Sequence, residues 1–117
     1  VWGWAAPGQT VTVRFRGQNK TAESDSSGKW TLRLDPMKAD SKPEAMEIYA
    51  GEDKKTISNI LTGDVWICAG QSNMEMTVAS CKNAKEETAS ANYPEIRHFR
   101  ARNQPDVDKK METVSGT

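Results

Sequence analysis

The sequence has 117 residues, enough for one ordinary domain or two small pieces. Its 16 basic and 16 acidic residues cancel, so net charge gives no case for nucleic acid or an anionic membrane surface as partner. No apolar stretch approaches the roughly 20 residues of a membrane span, and two cysteines with one histidine make no recognisable zinc pattern.

Residues 1–61 read as β structure. Trp2 and Trp4 share a face in the opening Trp-Gly-Trp and are expected to cap the core of this region. Val11, Val13 and Phe15 alternate with Thr10, Thr12, Arg14 and Arg16, which gives one apolar and one polar face. Trp30, Leu32 and Leu34 repeat that alternation, as do Met46, Ile48 and Ala50; Lys20 to Glu23 is a weaker fourth candidate. Pro7-Gly8, Ser26-Ser27-Gly28 and Gly51-Glu52-Asp53 supply turn chemistry between the runs. The mixed-sign runs Glu52–Lys55 and Asp106–Lys110 read as solvated loops. The spacing suits antiparallel strands in a small sandwich. The Trp2, Trp4 and Trp30 rings read as core and rim packing, with a sugar-stacking platform as the alternative.

From Thr62 the character changes. Val65 to Ala69 is a continuous apolar run and reads as a strand buried on both faces. It stops at Gly70, and Ser72 follows among polar neighbours. A buried strand that breaks sharply is a good way to present a nucleophilic hydroxyl, with backbone N–H groups free to face a developing oxyanion. A bare Gly-x-Ser is common, so the tripeptide alone proves nothing. Asn83 with Glu86 resembles a capping box, and Ala84 to Ala91 favours helix with Ala84, Thr88 and Ala91 inward, ended by Tyr93-Pro94. Ile96 to Ala101 reads as a further strand, which completes a βαβ unit. Residues 102–117 show no periodicity and read as loop.

The whole string Gly63-Asp64-Val65-Trp66-Ile67-Cys68-Ala69-Gly70-Gln71-Ser72-Asn73-Met74-Glu75-Met76 resembles the nucleophile block of the sialate O-acetylesterase family, which belongs to the SGNH hydrolases. Gly70 to Glu75 matches residue for residue. Weaker similarity lies upstream, in Val1–Ala5, Pro7-Gly8, Val11–Val13, Gly28–Trp30 and Leu34–Ala39, and downstream in Ala91–Pro94 and Ile96-Arg97. Acetylxylan esterases share the short Gly-Gln-Ser-Asn-Met core, so that core does not choose the sugar. The resemblance implies Ser72 as catalytic nucleophile, its own N–H as an oxyanion donor, no metal or organic cofactor, and an acetylated carbohydrate as substrate. It also implies a periplasmic or secreted protein, although the chain carries no signal peptide.

Gly70, Gln71 and Asn73 complete the nucleophile loop. Gly70 permits close approach of substrate or backbone. The Gln71 and Asn73 amides are expected to hold the loop by hydrogen bonds, or else to touch substrate. Met74 and Met76 are expected to pack beneath the turn. The family's remaining parts lie C-terminal to the serine block: a glycine and an asparagine that complete the oxyanion hole, and an Asp-x-x-His that supplies the base. None occurs in residues 73–117. His98, the only histidine, is followed by Phe99-Arg100, does not match that motif, and reads as a strand-surface or core histidine. Cys68 acts as a small hydrophobe inside the apolar run, and a disulfide to Cys81 is possible without being specified by the spacing.

The expected architecture is therefore mixed β plus α/β. A small antiparallel β-sandwich-like accessory domain, residues 1–61, precedes the opening βαβ unit of a truncated SGNH-type α/β hydrolase domain, residues 62–117. The chain opens directly at Val1-Trp2 and closes on polar Val114–Thr117, so both ends read as cut, and the chain is expected to be an inactive N-terminal fragment. The alternative is a non-catalytic, carbohydrate-binding or packing β-module. Oligomeric state is not set by the sequence.

Overall fold

The computed structural model describes residues 1–101. The chain divides into two compact units, Val1–Ile67 and Cys68–Thr117. The first is built from six strands: β1 (Trp2–Trp4), β2 (Thr10–Phe15), β3 (Gln18–Glu23), β4 (Lys29–Thr31), β5 (Asp40–Ala50) and β6 (Asp53–Thr62). β3, β2, β5 and β6 form one antiparallel sheet in that order, and β1 with β4 forms a second, two-stranded one.

Alternation along β2 sets the core. Val11 and Val13 are fully buried and Phe15 nearly so, and they pack with Met46 of β5, with Trp30 of the smaller sheet and with Leu32 just beyond it. Leu34, Met37, Ile48 and Ile60 surround that cluster. The two hairpins use turns suited to strand twist. In Arg16-Gly17 both residues have positive φ, 48° and 76°, as a two-residue type I′ loop requires. Gly51 alone has positive φ in the Gly51-Glu52 loop, as type II′ requires. Gly28, at φ 81°, closes the Asp25–Gly28 turn where a Cβ would run into the Ala5 carbonyl oxygen, so a side chain is doubly excluded there.

Arg16 fastens the first hairpin to the start of β5. Its guanidinium donates to the Lys38 carbonyl at 3.2 Å and meets Asp40 at 2.6 Å and Glu44 at 3.1 Å. Ser24 is the buried polar group of this unit: its hydroxyl donates to the Ala6 carbonyl at 2.5 Å and accepts from the Gln9 amide at 3.0 Å.

Several sequence expectations are corrected. Asp53–Lys55 is not a solvated loop; it opens β6, with Tyr49 opposite Lys54. On this outer face Arg14 stacks over the Tyr49 ring at 4.8 Å, the Tyr49 hydroxyl donates to Glu47 at 2.8 Å, and Lys54 pairs with Glu47 at 2.5 Å. Those contacts hold the Glu47 carboxyl below its ordinary pKa, through the Lys54 hydrogen bond first and the Tyr49 hydroxyl second. The mixed charges are cross-strand partners, which is why they suit a strand. Leu32 and Leu34 lie outside β4, which ends at Thr31. Trp2 and Trp4 do share a face, but it is the outer one, and each is 55% exposed. Gly3 is the inward residue, opposite Trp30, and a Cβ on it would touch the Trp30 ring at 3.0 Å.

The strand expected over Val65–Ala69 does not form. Residues 63–70 have no regular structure, and Val65, Trp66 and Ile67 are 91%, 84% and 92% exposed. A strand is stabilised by neighbours that take its N–H and C=O groups, and no described segment pairs with this one. For the same reason Ile96–Ala101 is not a strand beyond a single bridge at Ala101. The second unit contains α1 (Ser72–Glu75), a 3-10 turn at Val78–Ser80, and α2 (Ala84–Ser90). α2 occupies the expected stretch and stops at Ala91, before Tyr93-Pro94, but without a capping box. Asn83 sits at φ 59°, ψ 27° and its side chain caps nothing, because the left-handed backbone turns it away from the usual extended N-cap geometry. The expected inner face is also missing: Ala84 is half-buried and no residue of α2 is buried. The loop expected over residues 102–117 lies outside the described residues, as does the Asp106–Lys110 run.

Candidate functional site

The segment around Ser72 is built by a glycine, a cap residue and one turn of helix. Gln71 takes the N-cap position with φ −116° and ψ −133°. Its carbonyl accepts from the Met74 amide at 2.8 Å and the Glu75 amide at 3.3 Å, and the Met76 amide donates to the Ser72 carbonyl at 3.1 Å. The first N–H groups of a helix have no partner within it. In α1 these include the amides of Ser72 and Asn73. Ser72 is the first residue of the turn and is exposed.

Gly70 has a steric reason to be glycine. A Cβ built on it falls 2.6 Å from Met74 Cγ and 3.6 Å from Met74 Cβ. The Met74 side chain therefore lies across the backbone of Gly70, and the two residues brace the turn between them. Met74 keeps 51% of its surface exposed and Met76 58%, so only Met74 shows the packing expected of the pair.

The Gln71 and Asn73 amides do not hold the loop by hydrogen bonds, the first of the two roles expected of them. Gln71 makes no cap hydrogen bond. Neither side chain has a hydrogen-bond partner among the described residues, because the turn's bonds are all backbone to backbone. His98 is exposed in a stretch without regular structure. Among the described residues, no side chain hydrogen-bonds the Ser72 hydroxyl. Cys68 and Cys81 are both free and exposed, and the Cys81 thiol lies 3.5 Å from the Thr77 carbonyl. No group of three or more potential metal ligands occurs among the described residues. No described helix is long and apolar enough to cross a membrane, which says nothing about a β-barrel.

Sequence reading singled out Ser72 as a candidate and missed the brace. The signal was available, since Gly70 and Met74 stand four residues apart across a helix start, but the contact depends on a side-chain conformation that spacing does not fix.

No family model matches the chain. Among curated proteins, it is 39% identical over 109 residues to the sialate O-acetylesterase of Mus musculus, covering 85% of this chain and 20% of that protein. It is likewise 39% identical over 107 residues to the Homo sapiens enzyme, covering 83% of this chain and 20% of that protein. This chain is homologous to part of the sialate O-acetylesterases. It spans about a fifth of the length of these relatives. The crystal structure of a carbohydrate acetylesterase from Xanthomonas citri matches with a TM-score of 0.89 at 29% identity, over 99% of this chain and 27% of that one. That likeness supports a mixed, β-rich fold of two sheets and few helices shared with a carbohydrate esterase.

Proposed function

We propose that this chain is the nucleophile-bearing part of a carbohydrate O-acetylesterase, with Ser72 as the catalytic residue. The observation that carries the reading is the homology to sialate O-acetylesterases together with an exposed serine at the head of a braced turn. In the domain assignment that goes with it, residues 1–61 are an accessory β domain and residues 62–117 open the SGNH-type catalytic domain.

The geometry of the turn is consistent with the following reaction. Ser72 Oγ attacks the acetyl carbonyl carbon while its proton passes to a base. The carbonyl opens to an oxyanion, which the Ser72 N–H, with Asn73 N–H beside it, is placed to receive. The oxyanion collapses, the sugar oxygen leaves and takes the proton, and an acetyl-serine remains. Water then attacks the acyl carbon with the base's help, and acetate is released. Gly70 keeps the approach to the hydroxyl clear, and Gln71 and Asn73, whose amides have no described partner, are free to touch the sugar. The base is assigned to residues outside this chain, since His98 stands in unstructured surface and fits no acid–histidine motif. The substrate is an acetylated sugar, with sialate favoured over xylan because the curated relatives are named for it. A periplasmic or secreted location goes with that substrate.

The test is acetate release from O-acetylated sialosides and p-nitrophenyl acetate. In the full-length enzyme carrying this segment, Ser72→Ala is expected to abolish turnover. The 117-residue chain is expected to hydrolyse no faster than its own Ser72→Ala variant, because losing even one oxyanion donor costs roughly 10²–10³ in turnover and this chain lacks the base as well. Full activity of Ser72→Ala would remove the assignment.

A further inference from the structure

The outer face of the β1–β4 sheet is distinct in chemistry from the rest of the first unit. Trp2 and Trp4 project from it, each 55% exposed. Their rings meet edge to face, with centroids 5.2 Å apart and planes at 82°. Two perpendicular indoles make a corner, one ring the floor and the other the wall. Register places Thr31 beside Trp2 and Lys29 beside Trp4 on the same face.

Lys29 has no ion pair within 4.0 Å among the described residues. The nearby Asp25 carboxylate accepts through Oδ1 from the Ser27 hydroxyl at 2.7 Å and from the Ser27 and Lys29 amides at 2.8 and 3.0 Å, and it attracts the Lys29 charge through space without forming an ion pair with it. The face therefore offers apolar ring surface, a hydroxyl and a cation held in no close ion pair. A purely apolar partner would strip water from the Lys29 ammonium with no close ion pair in place, which is costly. A neutral sugar would leave that charge unused. A carboxylated pyranose uses all three, with its C–H face on an indole, its hydroxyls on Thr31 and its carboxylate on Lys29.

We propose that the Trp2–Trp4–Lys29–Thr31 face is a second sugar-binding surface, which holds a terminal carboxylated pyranose such as a sialoside through residues other than the serine turn. The proposal rests on the carbohydrate reading above. The site would keep a sialylated chain close to the enzyme while acetyl groups are removed elsewhere on it.

The experiment is saturation-transfer NMR on the 117-residue chain with methyl α-N-acetylneuraminoside, and with its methyl ester as the uncharged control. Circular dichroism confirms that each variant is folded, which the exposure of both rings favours. Saturable transfer is expected for the acid. Trp2→Ala/Trp4→Ala should lose it, and Trp4→Phe should retain it within about twofold. Lys29→Gln should weaken the acid about fivefold, the worth of one exposed charge pair, and leave the ester unchanged. No transfer to a folded chain would overturn the proposal. So would transfer that survives the double tryptophan variant, or concentration-dependent dimerisation that the same variant abolishes, since a second copy would then be the occupant. The titration reads ligand protons and not acetate release, so failure of the Ser72 assignment leaves its result intact.

Discussion

Replacing Gly70 by alanine should damage catalysis without touching Ser72, the proposed nucleophile. The added Cβ would sit 2.6 Å from Met74 Cγ, where ordinary contact begins at 3.4 Å. Something must yield by about 0.8 Å. Met74 belongs to the same four-residue turn as Ser72, so the shift is passed to the hydroxyl and to the amides beside it. A displacement of about 1 Å near a reacting centre costs on the order of 100-fold in rate. Gly70→Ala in the full-length enzyme is therefore expected to lower kcat/KM for p-nitrophenyl acetate about 100-fold. The second half of the prediction isolates the cause. Met74→Ala removes the offending Cγ and leaves only Met74 Cβ, which is 3.6 Å away and in ordinary contact. Gly70→Ala/Met74→Ala should recover at least about tenfold over Gly70→Ala, so the two sites couple by about 1.4 kcal/mol in a double-mutant cycle. Additive losses would refute the brace, and unchanged activity in Gly70→Ala would refute the link between the turn and the serine.

Arg16 poses a backbone effect against an ionic one. Arg16→Ala loses the half-exposed contacts to Asp40, Glu44 and the Lys38 carbonyl and should cost about 1–2 kcal/mol in urea denaturation followed by tryptophan fluorescence. Arg16→Gly loses the same contacts but relieves the left-handed backbone, so it should be less damaging than alanine by about 1 kcal/mol. Glu47 sets a pH response: its pKa is lowered in the fold, so its contribution is present above the ordinary glutamate range and is lost as pH falls through the lowered value. Glu47→Gln should remove that acid-side slope from a thermal-melt series, and an unchanged slope would place the titration elsewhere. Lys54 runs the other way: Glu47 raises its pKa, so its share is lost only when pH rises through that raised value.

Strands that bury one face were readable because their chemistry alternates. Val11, Val13 and Phe15 announce β2, and Met46 to Ala50 announce the far half of β5. β6 was hidden by its own geometry. Ile57 stands opposite Met46 and Ile60 opposite Glu44, so β6 spends one residue more than β5 over that interval. Asn59, at φ 61°, lies within this bulge. An extra residue breaks the period of two, and apolar positions three apart no longer look like one face. The orientation of Trp2 and Trp4 was hidden for a different reason. Glycine between two tryptophans gives no hydropathy signal, yet the space it leaves is what admits Trp30. Ser72 stood out as a candidate because a long motif carries it. The apolarity of Val65–Ile67 was legible too, but apolarity states a demand for burial and cannot supply the neighbours that satisfy it.

The pairing pattern of the first unit also sets an order of events during synthesis. The β2–β3 and β5–β6 hairpins are closed by two-residue loops, so each can form within microseconds of its residues being free. The costly steps are long-range ones: β4 must return to β1, and β5 to β2 across the intervening segments. All of these partners have been made once Thr62 is added. The strands therefore need no residue of the serine turn for their pairing, and the β unit can close as it leaves the ribosome while the segment carrying Ser72, the proposed nucleophile, is still inside the exit tunnel.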